Sequence, residues 1–113
     1  MIDLKRIYEE PSEDDGYRVL VDRLWPRGVS KEKAALGEWL KEVGPSDGLR
    51  QWFGHKPERF DEFRKRYLVE LKTNPATEQL KRIVQSHKTV TLLYSAHDPE
   101  HNQAVVLRDY LNG

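Results

Sequence analysis

Two short stretches gather most of the groups able to do chemistry, "DRLWPRG" at residues 22–28 and "YSAHDPEHN" at 94–102. In the first, Arg23 and Arg27 offer forked guanidinium donors matched to a carboxylate or a phosphate. Trp25 would supply an apolar or stacking wall, Pro26 would stiffen the loop, and Asp22 would orient an arginine or act as a base. The competing structural reading pairs Asp22 with an arginine and puts Trp25 in the core, since ion pairs of that kind are common away from any site. In the second stretch Ser95, His97, His101 and Asn102 are candidate donors, acceptors or proton carriers. Asp98 followed by Pro99 looks like a helix start, with the carboxylate capping the free N–H groups and proline in the first turn. A cap that is already negative argues against a phosphate seated directly on that turn.

Specific chemistries can be weighed against this inventory. His97 and His101 are four apart, but two such histidines share a metal only when both lie on one helix face. A helix beginning at Asp98 leaves His97 outside, and no other cluster supplies ligands, so no metal site is expected. Ser95 close to His and Asp in the chain is not a triad, and no G-x-S-x-G elbow is present. His55, in "RQWFGHKPERF", follows a glycine and either faces the same crevice or stays in solvent. Asp22, His55 and His101 are therefore the catalytic candidates. Arg23, Trp25, Arg27, Ser95, His97 and Asn102 are the binding candidates.

These residues must be held by elements that the pattern makes visible. "IDLKRIY" (2–8) alternates as a strand with one wet face, and the acidic "EEPSEDDG" (9–16) reads as a loop. "YRVLVDRLW" (17–25) is a strand ending near Asp22, after which Pro26 and Gly28 stop regular structure and Ser30 caps a short turn. Residues 36–43 lean towards strand, Gly37 counting against helix. Ser46 or Asp47 caps one or two turns that end at Gly54. Pro57 opens the clearest helix, with Phe60, Phe63, Tyr67, Leu68 and Leu71 on one stripe, ended by Asn74-Pro75. A second helix follows with Leu80, Ile83 and Val84 inward. "KTVTLLYS" (88–95) is a continuous apolar run, as expected of a parallel strand covered on both faces. The last helix is expected from Asp98 to about Leu111.

Strands alternating with helices predict a single α/β domain over 1–113, a small, mostly parallel layered sheet with helices packed on it. Ligands of such sheets sit beyond the carboxyl ends of the strands, where both chemical stretches fall. If their strands are parallel neighbours, the two loops form one crevice. Composition narrows the partners. The 113 residues carry 19 basic and 19 acidic side chains and no cysteine. Thiolate catalysis, disulfides and cysteine metal sites are excluded, no cofactor is indicated, and the balanced charge gives no general pull towards nucleic acid or anionic membrane. The "RKR" at 64–66 is diluted by neighbouring acids. No apolar run approaches the roughly 18 residues of a membrane span, and "MIDLKRIYEE" is unlike a signal peptide, so a cytoplasmic protein is expected. No signature of a particular oligomeric state is present.

With "VDRLWPRGVSKEKA", "WFGHKPERFDEFRKRY" and "TLLYSAHDPEHNQAVVLRDYL" in view, the chain resembles the short, YeaO-like branch of the domain of unknown function 488, over nearly its whole length. The resemblance implies a compact α/β domain without a settled activity. Some members carry a transcriptional-regulator label, which no helix-turn-helix or basic face supports here. The recurring residues of the short branch map onto Asp22, Arg23, Trp25, Pro26, Arg27 and Gly28, then Trp52, His55, Tyr94, Asp98, His101 and Asn102. The longer branch places a Cys-His-Arg group after the corresponding last strand, and those positions are Asn102, Gln103 and Ala104 here. The expectation is a crevice between the 22–28 and 94–102 loops that binds a small anion, phosphate-bearing ligands among them. The alternative is a non-catalytic interaction or regulatory module using the "RLWPRG" loop, with nucleic-acid binding the less favoured third.

Overall fold

The run "VTLLY" becomes the centre of the sheet because all five of its residues suit burial. In the computed structural model, which describes residues 1–113, β4 (Val90–Tyr94) is buried along its whole length. It pairs in parallel with β1 (Ile2–Arg6) on one side and β2 (Tyr17–Leu20) on the other. β3 (Glu38–Trp39) adds two residues beside β2, also parallel, giving the order β1-β4-β2-β3. The last strand in the chain thus inserts between the first two, and the loops after β1, β2 and β4 all emerge at one edge.

Alternation along the strands divides the core in two. Val19, Val90, Leu92 and Tyr94 face the larger cluster, which holds the buried sides of α2 (Asp47–Phe53), α3 (Phe60–Thr73), α4 (Pro75–Ser86) and α5 (Gln103–Asn112). Leu20 and Leu93 point the other way, onto Ile7 and Ala34 of the short α1 (Lys31–Ala34), with Trp25, Val29 and Leu36 packed around them. The expected α/β architecture is present, with the long helices on one face and loops closing the other.

Local chemistry explains most element ends. Ser30, Ser46 and Asn74 each accept a backbone N–H at the start of α1, α2 and α4, contacts worth about 1 kcal/mol apiece. The stripe on α3 buries Phe60, Phe63, Tyr67 and Leu71, with Leu68 only partly covered. Each such side chain contributes about 1.5–3 kcal/mol on burial, and the Tyr67 hydroxyl finds the Val43 carbonyl at 2.6 Å. Gly16, at φ 64°, turns the chain into β2 where a Cβ would lie 2.3 Å from the Thr89 carbonyl oxygen, so only glycine fits.

Two expectations change. Residues 36–43 are strand only at Glu38–Trp39, followed by a single 3-10 turn at Lys41–Val43. The ladder stops after the Leu40 N–H reaches the Leu20 carbonyl at 3.0 Å, because Leu40 and Val43 must both turn into the core. The last helix starts at Gln103, not at Pro99. Asp98 closes its own turn by accepting the N–H groups of Glu100 and His101 at 2.9 and 3.2 Å. Asn102 is the true cap, accepting the Val105 N–H at 3.1 Å. No helix is long and apolar enough to cross a membrane.

Candidate functional site

Because β1, β2 and β4 are parallel neighbours, the segments that follow them converge beyond their carboxyl ends. They enclose a cleft of about 820 Å³, completed by α2 and the start of α5. Arg6 and Tyr8 come from the end of β1, residues 22–27 follow β2, Ser95–His97 follow β4, and Arg50, Phe53 and His55 come from α2 and the turn after it.

At its base sits Asp22, only 9 % exposed. Its Oδ2 accepts both the backbone N–H of Ser95, at 3.0 Å, and the Ser95 hydroxyl, at 2.5 Å. Its Oδ1 accepts the Gln103 side-chain amide. Burial pushes this carboxyl above its ordinary range; the hydrogen bonds from Ser95 and Gln103, and the charge of His55, only partly oppose that. Asp22 is the only carboxylate lining the cleft, against four arginines and two histidines.

The arginines fall into two kinds. Arg6 is oriented by the carbonyls of Ala96 and Ser95, at 2.9 and 3.2 Å, with His97 Nδ1 3.4 Å away. Arg23 is oriented by the carbonyls of Pro45 and Gly44, both at 2.9 Å, and its Nη1 lies 3.7 Å from the exposed Glu42. A carbonyl fixes a guanidinium without cancelling its charge. Arg27 and Arg50 are only loosely held. The Arg27 side chain is exposed, and only its backbone carbonyl is engaged, by the Tyr8 hydroxyl at 2.9 Å. Arg50 makes one long contact to Asp47, 3.5 Å, while its Nε is shut from solvent without a hydrogen-bond partner. Such a group costs on the order of 1–3 kcal/mol.

The structure distributes the sequence candidates unevenly. Asp22, Arg23, Trp25, Arg27, His55, Ser95 and His97 line the cleft together. Trp25 is also held from within, its indole N–H donating to the Val29 carbonyl at 2.8 Å and its ring meeting Trp39 edge-on at 5.2 Å. His101 and Asn102 are not lining residues. His101 Nδ1 pairs with Asp98 at 2.8 Å and its ring stands edge-on to Phe60. Asn102 is 1 % exposed, and its amide is divided between capping α5 and donating to the Asp98 carbonyl at 2.8 Å. Arg6, Tyr8, Arg50 and Gln103 escaped the sequence reading. The position of Arg6 at the end of a strand parallel to β4 was the available signal for one of them. His55 adopts φ 58° directly after Gly54 at φ 53°, so its ring is carried by two left-handed residues in succession. No grouping of three or more His, Asp or Glu side chains is arranged to hold a metal ion.

A family model matches residues 1–113, and the chain belongs to the family it describes, the inactive DUF488-N3 subclade. Over 110 residues it is 43% identical to the uncharacterised protein YeaO of Escherichia coli K12, covering 97% of this chain and 96% of that one. Over 108 residues it is 44% identical to the uncharacterised protein Rv3073c of Mycobacterium tuberculosis H37Rv, covering 96% and 91%. No solved structure matches the chain. The likeness to the YeaO-like branch therefore holds over the whole chain.

Proposed function

We propose that the chain is a cytoplasmic protein that binds a small anion in the cleft beyond β1, β2 and β4, without turning it over. The observation that carries this reading is the imbalance of charge: four arginines, two of them only loosely held, surround a single buried carboxyl whose oxygens are held by Ser95 and Gln103. Guanidinium groups are the side chains best matched to carboxylate and phosphate oxygens. Binding without catalysis is supported by the description of the subclade as inactive. It is supported too by the fate of the positions that carry Cys-His-Arg in the longer branch. Here they hold a helix cap, a donor to Asp22 and a fully buried alanine. The interaction-module reading has less behind it, because Trp25 is tied inward and Pro26 is buried.

Thermal melting against a panel of phosphates, carboxylates and sulfate tests the proposal. A ligand of the native state adds about 2.7 kcal/mol at about one hundred times its dissociation constant. Arg27→Ala should leave the melting temperature of the free protein unchanged and raise the dissociation constant tenfold or more, a charge-assisted hydrogen bond being worth about 1.5–3 kcal/mol. A flat panel, or a shift that survives Arg27→Ala intact, overturns it.

A further inference from the structure

We infer that the ligand of this cleft is a phosphate monoester of a planar ring compound, not a free inorganic anion or a monocarboxylate. The inference rests on the anion-binding reading above and adds charge, size and shape to it. The charge follows from the four arginines. Arg6 and Arg23 are held by neutral carbonyls, the Arg27 side chain is exposed, and Arg50 makes only a long contact, 3.5 Å to Asp47, while its buried Nε has no partner. The two acids beside these arginines from outside the cleft, Glu42 at 3.7 Å from Arg23 and Asp47 at 3.5 Å from Arg50, are both largely exposed, so each offsets its arginine only weakly. A carboxylate would offset one of these charges. A phosphate monoester brings about −1.5 to −2 near neutral pH and three acceptor oxygens, enough for an oriented arginine and a mobile one together.

Size and shape point to what carries the phosphate. The cleft, about 820 Å³, falls in the range of about 300–1,000 Å³ that takes drug-sized organic ligands. An inorganic ion would leave most of it to water. Five large apolar side chains are left exposed on this protein, and two of them, Tyr8 at 46% and Leu24 at 60%, line this cleft. Trp25 stands partly exposed between Leu24 and Arg27 in the chain, and the buried Phe53 also lines the cleft. Tyr8 already carries the Arg6 guanidinium 4.8 Å from its ring centre. Flat aromatic walls beside guanidinium groups favour a flat ligand body over an aliphatic chain.

Titration calorimetry on the intact chain with four probes decides the matter: phenyl phosphate, inorganic phosphate, glycerol 3-phosphate and benzoate. Phenyl phosphate is expected to bind at least tenfold more tightly than each of the others. Leu24→Ala, at an exposed position, should weaken phenyl phosphate severalfold and leave inorganic phosphate unchanged. Equal affinity for phenyl phosphate and either non-aromatic phosphate would overturn the ring while leaving the anion site standing. Benzoate binding as well as phenyl phosphate would overturn the phosphate. Absence of heat with all four would remove the anion site itself.

Discussion

Asp15 and Asp22 are two buried carboxylates, 7 % and 9 % exposed, on either side of β2, and they are held in opposite ways. Asp15 meets cations: Lys5 Nζ lies 3.0 Å from it and Arg18 Nη1 2.5 Å, while the Ser12 N–H donates at 3.0 Å. Burial alone would raise the Asp15 carboxyl, but those three partners outweigh it and hold the group below its ordinary value. Asp22 meets only neutral donors at hydrogen-bond distance, and burial wins. The difference teaches where this fold consumes its charges. On one side Arg18 is spent on Asp15 and on the Ala34 carbonyl, which pins the 3-10 turn at Glu13–Asp15 and α1 to the sheet. On the other, cations are oriented around Asp22 but not neutralised by it.

The largest consequence is in stability. Asp15→Ala strands Arg18, which is 5 % exposed, and removing one partner of a buried pair costs about 3–5 kcal/mol. Asp22→Asn keeps an acceptor for Ser95 and removes a charge that burial disfavours, so its loss should stay below about 2 kcal/mol, the range of one imperfect buried hydrogen bond. Urea unfolding of the two variants measures both. Equal losses would mean that Asp22 has a cationic partner after all.

The same contrast fixes the sign of two pH dependences. The folded Asp22 carboxyl holds its proton more tightly than the unfolded group, whose ordinary value is 3.8. Its stabilising contribution is therefore complete below that value and is lost as pH rises through the raised folded value. Asp15 behaves oppositely: its contribution is present above 3.8 and lost as pH falls through the lowered folded value. Unfolding midpoints measured from pH 3.5 to about 7 should show Asp22→Asn improving relative to the parent chain as pH rises. A constant offset would mean that the carboxyl titrates alike in the folded and unfolded states.

Much of this frame was legible in the sequence, because it is set by short-range chemistry. A serine or asparagine before a helical stripe, the Phe60–Leu71 spacing and the all-apolar run of β4 each state their role within a few residues. The meeting of the 22–28 loop with Ser95 and His97 followed from one topological inference, parallel pairing of β2 with β4, which the registry bears out. The misplaced helix start shows the limit. "DPEHNQ" contains two residues able to cap, Asp98 and Asn102, and only the packing of Ala104 to Leu107 against the sheet decides which begins the helix. Gln103 and Arg50 were hidden for a similar reason. An ordinary amide and a helical arginine acquire meaning from what lies opposite, Asp22 for one and an absent partner for the other.

Arginines sharpen the comparison at smaller scale. Arg18→Met would leave Asp15 with Lys5 as its one cation, whereas Arg50→Met keeps the aliphatic stem and deletes an Nε that has no partner. Arg50→Met is accordingly expected to change stability by no more than about 1 kcal/mol, in either direction, since the lost contact to Asp47 is long and exposed. Calorimetric melting of the two variants side by side checks this. A loss at Arg50 as large as that at Arg18 would make Arg50 a structural residue and remove it from the cleft's binding groups.

The smallest expected effect concerns backbone strain on the cleft side. His55 holds φ 58°, a conformation that glycine takes freely and that an L side chain adopts at a cost of about 1–2 kcal/mol. Replacing it with glycine relieves that strain but adds freedom to the unfolded chain, which takes back about 0.4–1 kcal/mol. His55→Gly should therefore stabilise the protein by less than about 1 kcal/mol, because the ring is exposed and loses only a distant tilted contact with Phe53, 6.3 Å between ring centres. If the variant is more stable yet binds the anion less well, the left-handed turn exists to present the imidazole to Asp22 and the arginines. If both stability and binding are unchanged, the turn is only the way the chain leaves α2 to begin the next helix.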